Sequence, residues 1–210
     1  MQQPQSADSN DRAYWRRLIR SRRQALSAPE QRAASDALCA QLLALPECRQ
    51  ANRIGLYLAN DGELNLAPLA QALWARGCQL FLPVLHPFAA GHLLMLGYHC
   101  DSPLRPNRFG IPEPHLDVRQ VAPLASLDLL LCPLVAFDDA GNRLGMGGGF
   151  YDRTLAGWQQ SRPSQPLPIG IAHDCQRVDA LPHALWDVPL PQILTPSRLY
   201  HFNPDGSQQG

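Results

Sequence analysis

Lysine is absent: all 18 basic residues of this 210-residue chain are arginine, so any site that elsewhere would use a lysine must here use a guanidinium or nothing. Net charge is absent too, because 18 acidic residues balance the 18 basic ones. That removes the global positive field on which non-specific nucleic-acid binders rely. No apolar run approaches the roughly 18 residues needed to span a bilayer, which points to a soluble protein with no membrane partner. The segment Met1–Asp11 is polar and has no apolar stretch of signal-peptide type, so a flexible tail and a cytoplasmic location are expected. The six cysteines, Cys39, Cys48, Cys78, Cys100, Cys132 and Cys175, form no C-x-x-C pair and have no histidine at metal-ligand spacing. Reduced thiols are expected. A Ser-His-Asp or Cys-His nucleophile signature is missing, and the seven histidines are scattered. Neither an internal repeat nor a low-complexity tract is present.

At 23.2 kDa the chain suffices for one sizeable core. A single domain over residues 12–200 is expected, between tails at 1–11 and 201–210. Trp15, Leu18, Ile19 and Leu26 recur at helical spacing, with Arg12, Arg16, Arg20 and Arg23 on another face, so the spacing predicts an amphipathic, arginine-faced helix. Apart from the Arg12/Arg16 pair, the arginines of this helix (Arg17, Arg20, Arg22, Arg23) read as an ordinary solvated face. Ser27-Ala28-Pro29-Glu30 matches a capping box opening a second helix, ended by Pro46. Short apolar runs then alternate with helical stretches: a strand at 54–58, a helix at 66–76, strands at 79–84 and 93–98. Residues 101–123 are Pro-rich and read as a long surface connection. Residues 127–137 read as one central buried strand, followed by a turn at 138–141, with the last strands at 168–172 and 192–195. The alternation implies an α/β fold, a three-layer α/β/α sandwich with a mostly parallel or mixed sheet.

The densest chemical signal is Asn142-Arg143-Leu144-Gly145-Met146-Gly147-Gly148-Gly149-Phe150-Tyr151-Asp152-Arg153. Its glycines let backbone N–H groups converge without Cβ obstruction, and a following helix would add its positive end, which together make a phosphate cradle. The Gly-Lys-Ser/Thr ending of a Walker loop is absent, and the G-x-G-x-x-G dinucleotide fingerprint does not fit. Tyr151, Asp152 and Arg153 place an aromatic, a carboxylate and a guanidinium beside the cradle, the residue types that nucleotide, Mg²⁺ and phosphate require.

Pro133-Leu134-Val135-Ala136-Phe137-Asp138 together with the string 143–153 resembles the signature of the 5-formyltetrahydrofolate cyclo-ligases. Arg12 and Arg16 fall where that family has a Lys-x-x-x-Arg pair. Asp61-Gly62-Glu63, Phe109-Gly110-Ile111-Pro112-Glu113-Pro114, Gly170-Ile171-Ala172, Gln176, Leu181-Pro182, Asp187 and Thr195 extend the resemblance over about residues 12 to 197. It implies ATP-dependent, Mg²⁺-assisted closure of 5-formyltetrahydrofolate to 5,10-methenyltetrahydrofolate, with release of ADP and phosphate through a phosphorylated formyl group. It further implies that Arg12, Arg16, Arg143, Leu144, Gly145, Met146, Gly147, Gly148, Gly149, Phe150 and Tyr151 hold ATP. Leu58, Glu63, Phe109 and Tyr151 would contact the folate, Asp152 and Asp187 the metal. Arg143, Tyr151 and Asp152 would stand at the chemistry. Arg12 departs from the family's lysine, keeping charge while changing reach.

The residue types suit these roles. Arginines at i and i+4 share a helix face and offer planar forks to phosphate. A carboxylate just past a strand can accept the paired N–H donors of a pterin edge. Partners are thus expected to be small molecules, and the chain a monomer or weak homo-oligomer. A sugar-phosphate isomerase or CoA-transferase-like enzyme is the rival on the same kind of sheet, and an RNA-binding module on the first helix is a non-enzymatic alternative.

Overall fold

The computed structural model describes residues 11–156, 158 and 166–202; of the expected tails, 1–11 and 201–210, all but Asp11, His201 and Phe202 lie outside them. The helices are α1 (Arg12–Gln24), α2 (Ala28–Ala44), α3 (Pro46–Gln50), α4 (Ala67–Ala75) and α5 (Phe150–Thr154). The strands are β1 (Arg53–Gly55), β2 (Gln79–Leu85), β3 (Leu93–Tyr98), β4 (Leu104–Pro106), β5 (Pro112–Pro114), β6 (Val121–Ala122), β7 (Leu129–Pro133), β8 (Ala136–Phe137), β9 (Arg143–Leu144), β10 (Leu167–Ile171), β11 (Gln192–Leu194) and β12 (Leu199–His201).

Eight strands form one mixed sheet in the order β12-β11-β10-β7-β1-β2-β3-β6. The middle, β11-β10-β7-β1-β2, is parallel. The edges β12, β3 and β6 are antiparallel. Side chains alternate across the sheet as the strand period requires. Ile54, Leu80, Leu82, Leu129 and Leu131 face α2 and α4 through Leu38, Leu42, Leu69 and Leu73. Phe81, Leu130, Cys132 and Ile193 face Phe137, Leu155 and Trp158. The second covering layer is therefore thin, built from five-residue α5, the β8–β9 hairpin and connecting segments. The α/β expectation holds, with α2 and α4 covering one face and α1 packed on the β8–β9 hairpin through Ile19, Val135, Ala136 and Leu144.

Local signals behave as their chemistry dictates. The Asp11 carboxylate accepts from Ala13 N–H at 2.7 Å and caps α1. Ser27 and Glu30 form the expected capping box, Ser27 N–H donating to Glu30 Oε2 at 2.7 Å.

Four expectations are corrected. The strand expected over 54–58 stops at Gly55, and the chain from Leu56 onward turns over the sheet end. The apolar run 127–137 is two strands: Pro133 ends β7, and Val135 donates to Leu144 O at 2.7 Å to open a separate hairpin. Residues 101–123 hold the β4–β5 hairpin and β6 instead of bare connection. The sheet also runs past residue 200, because His201 pairs with Gln192 in β12 and Phe202 packs on the core. No helix among the described residues is long and apolar enough to cross a membrane.

Candidate active site

Open α/β sheets hold ligands beyond the carboxyl ends of their parallel strands, and here those ends present two adjoining cavities. The smaller, about 320 Å³, is walled by Arg12, Arg16, Arg143, the glycine loop, Asp152 and Asp187. The larger, about 670 Å³, is walled by residues following β1, by β2, the β4–β5 hairpin and α5. Arg143, Gly145, Gly148, Gly149 and Asp152 belong to both. Each expected site residue lines one cavity or the other. Met146, Phe150 and Tyr151, expected beside the nucleotide, line the larger cavity, while Leu144 and Gly147 line the smaller.

The glycine loop is placed by what precedes it. Asp138 folds the β8–β9 turn by accepting from the N–H groups of Ala140 and Asn142, both at 3.0 Å. Gln176 Nε2 donates to Leu134 O at 2.7 Å and Val135 O at 3.0 Å, fixing the exit from β7. Inside the loop Gly147 has φ +100° and Gly149 φ +63°, conformations that favour glycine. Arg16 Nε donates to Gly145 O at 2.8 Å, and Arg153 donates to Gly148 O. Arginines thus take loop carbonyls, while the amides of Gly147, Gly148 and Gly149 donate to no backbone carbonyl among the described residues. The helix that follows has only five residues, so the expected dipole contribution is small and the positive potential comes from guanidinium groups. Burial and the neighbouring charge of Arg12 lower the pKa of Arg16 from its ordinary value.

Both expected metal carboxylates are paired with arginine. Arg143 Nη2 donates to Asp152 Oδ1 at 2.7 Å, and Val188 N–H reaches the same oxygen at 3.3 Å. Asp187 Oδ2 takes Arg12 and, at 2.7 Å, Ala184 N–H. These bonds use neither Asp152 Oδ2 nor Asp187 Oδ1, and both residues line the smaller cavity. No cluster of three or more His, Cys, Asp or Glu fit for a metal occurs among the described residues. The donor set suits a hard cation that keeps waters and takes its remaining oxygens from a bound phosphate.

In the larger cavity Glu63 accepts from Asn60 N–H at 3.1 Å and stands 3.9 Å from Arg23. Burial pushes the Glu63 carboxyl up to about 7, a position from which either protonation state is accessible near neutrality. The Tyr151 hydroxyl is buried without a hydrogen-bond partner among the described residues, and burial raises its pKa. The turn of the β4–β5 hairpin is held by Asn107 Oδ1, which accepts from Phe109 N–H at 2.9 Å and Ile111 N–H at 3.2 Å. It brings Phe109 edge-on to Phe150 at 6.0 Å. Leu58 lines the floor.

Sequence reasoning missed the residues that hold this cavity open. Arg23, read as solvated, is 0% exposed; it donates to Asp61 Oδ2 at 2.8 Å, Asp61 O at 2.9 Å and Leu134 O at 3.4 Å. Arg20 donates to both Asp61 oxygens, at 2.6 and 3.1 Å. Arg20's hydrogen bonds, with the charge of Arg23 behind them, hold Asp61 below the usual carboxylate range. Asp61 sits at φ 52°, so the Asp61-Gly62 pair makes a left-handed turn that returns Glu63 to the cavity. Buried His173 meets Gly62 O at 3.2 Å, and burial lowers its pKa. Glu113 accepts from Leu85 N–H at 3.2 Å and Asn107 Nδ2 at 3.1 Å. The Asp-Gly dipeptide was the one local clue; the rest depends on chain segments far apart.

A mixed sheet whose parallel strand ends carry an arginine-and-glycine cleft, opening into an aromatic and acidic cavity, has the architecture of an α/β enzyme. Residues 8–196 match the model of the 5-formyltetrahydrofolate cyclo-ligase family, and the chain belongs to that family. The 5-formyltetrahydrofolate cyclo-ligase of Escherichia coli (strain K12) is 49% identical over 185 residues, 88% of this chain and 100% of that one. That of Haemophilus influenzae is 48% identical over 187 residues, covering 89% and 98%. The NMR structure of Aquifex aeolicus 5,10-methenyltetrahydrofolate synthetase superposes with TM-score 0.77 at 28% identity, covering 95% of this chain and 96% of its own. A Mycoplasma pneumoniae 5,10-methenyltetrahydrofolate synthetase gives TM-score 0.69 at 26% identity, covering 89% and 99%. The match favours the cyclo-ligase reading over the isomerase and CoA-transferase-like ones.

Proposed function

We propose that the chain uses ATP to close 5-formyltetrahydrofolate to 5,10-methenyltetrahydrofolate. The observation that carries this is the shared wall: Arg143, Gly148, Gly149 and Asp152 border both cavities, so a terminal phosphate in one lies beside a formyl group in the other. The formyl oxygen attacks the γ-phosphorus and ADP leaves. N10 then attacks the activated carbon, loses its proton, and the C–O bond to phosphate breaks. No protein nucleophile takes part.

In this reading Arg12 and Arg16 bind phosphates from α1, and loop amides face the remaining oxygens. Arg143, buried with its Nε unpartnered, adds fixed positive charge where the phosphoryl group passes. Asp152 and Asp187 are the residues that would hold Mg²⁺, which supplies charge neutralisation on the phosphates. Glu63 accepts the paired donors of the pterin edge, and Phe109, Phe150 and Tyr151 cover its flat faces. The partners are small molecules, and the cytoplasm is the compartment proposed.

Methenyltetrahydrofolate has its own near-ultraviolet absorbance. Its appearance is expected only when ATP, Mg²⁺ and 5-formyltetrahydrofolate are present together; formation without ATP would overturn the reading.

A further inference from the structure

The smaller cleft accounts for phosphates but leaves a nucleobase to be placed. Its walls are arginine, glycine and aspartate, with Leu144 and Ala156 as small apolar patches. One aromatic side chain, Trp186, lines it among the described residues. Trp186 is 72% exposed, so the fold leaves a large indole surface in water without using it for packing. The aromatics of the larger cavity, Tyr57, Phe109, Phe150 and Tyr151, belong to the other ligand's space.

The backbone that presents Trp186 is fixed from both sides. Asp187 N–H donates to Ala184 O at 3.0 Å, closing a turn with Leu185 and Trp186 at its tip. Ala184 N–H donates back to Asp187 Oδ2 at 2.7 Å. Arg12 pairs with Asp187 and donates through Nε to Pro182 O at 3.3 Å, so the turn is tied to the residue that faces the phosphates. The indole thus flanks the anion end of the cleft, next in sequence to the carboxylate that closes it.

We infer that Trp186 is the platform on which the nucleobase of the bound nucleotide stacks. The inference rests on the nucleotide reading of the cleft. A stack recognises any base by its π-face and needs no hydrogen-bond readout, and it suits an exposed rim where an unpaired polar group would gain nothing.

The test compares ADP with inorganic tripolyphosphate, which offers the charges without a base, by calorimetry on the full chain. Trp186→Ala is expected to weaken ADP roughly tenfold, about 1.4 kcal/mol, and to leave tripolyphosphate unchanged. Trp186→Phe should retain most ADP affinity. In wild type, ADP but not tripolyphosphate should quench tryptophan fluorescence, and Trp186→Phe should lose that quench, which reads the stack should Trp186→Ala fold poorly. Equal weakening of both ligands, or unchanged ADP binding, overturns the inference. Binding is measured without turnover, so it is separable from the cyclisation reading. Base-dependent ADP binding by a chain that forms no methenyltetrahydrofolate supports the platform and sinks the reaction; normal cyclisation with unchanged ADP binding does the reverse.

Discussion

At the scale of single residues, the loop separates its glycines by conformation. Gly147 and Gly149 need positive φ, and a Cβ at either would also meet Arg16 at 3.4 Å or Arg153 at 2.9 Å. Gly145 has no such φ and nothing within 4 Å of an added Cβ. Gly147→Ala or Gly149→Ala should therefore cost about 1–2 kcal/mol of backbone strain and raise KM for ATP or lower kcat roughly tenfold. Gly145→Ala and Met146→Ala should change either by far less in steady-state kinetics. Glu63 makes a second residue-level prediction. Its carboxyl titrates at 4.5 ordinarily and about 7 here, so the folded chain holds a proton that the unfolded chain has lost between those values. Stability attributable to Glu63 is complete below about 4.5 and falls as pH rises through about 7, with Arg23 and Asp61 the charges facing it. Glu63→Gln should match wild type in denaturant midpoint at the acid end and exceed it progressively to a plateau above about pH 7. A constant difference across the range would contradict the assignment. The same variant should weaken folate binding more than ATP binding, because only the carboxylate accepts both donors of a pterin edge.

Elements carry the relation between the two cavities. Helix α1 places Arg12 and Arg16 at the smaller cleft and, further along, Arg20 and Arg23 on the loop that carries Glu63. Removing one partner of a buried ion pair is costly because the other charge is stranded. Arg23→Met should lower unfolding free energy by about 3 kcal/mol and loosen folate binding, whereas Arg20→Met, at a half-buried position, should cost under about 1 kcal/mol. Equal losses would mean that Asp61 is held by either arginine alike. The helix itself was legible because Trp15, Leu18 and Ile19 recur at its period; its cap was not, since Asp11 reads as the end of the polar tail. The fate of Arg23 was not, because its partners Asp61 and Leu134 come from segments that only the sheet brings together. The same reason hid Asn107 and Glu113, whose roles depend on a hairpin in a stretch read as connection. The chemical site was legible because its signal is contiguous, residues 143–153, and because glycines with forced conformations advertise themselves in sequence. The break at Pro133 was overlooked because apolar residues continue on both sides of it.

Over the whole molecule, the sheet supplies one rigid edge from which two ligand spaces open, and their common wall is a short run of chain from Arg143 to Asp152. The positive side of that wall is guanidinium throughout, and this has a chemical result apart from binding. The proposed reaction generates an electrophilic carbon in the cleft. A lysine amine there could lose its proton and capture that carbon, acylating the enzyme with each escaped turnover; an arginine stays protonated and donates only. The Cys132 thiol on β7 is equally mute, since burial pushes it up to about 12 and keeps it a thiol. Neither an amine nor a thiolate side chain is thus offered by this wall to compete with N10. Intact mass spectrometry after prolonged turnover should show the chain at its starting mass, and a formyl adduct within residues 132–153 would contradict this self-protection.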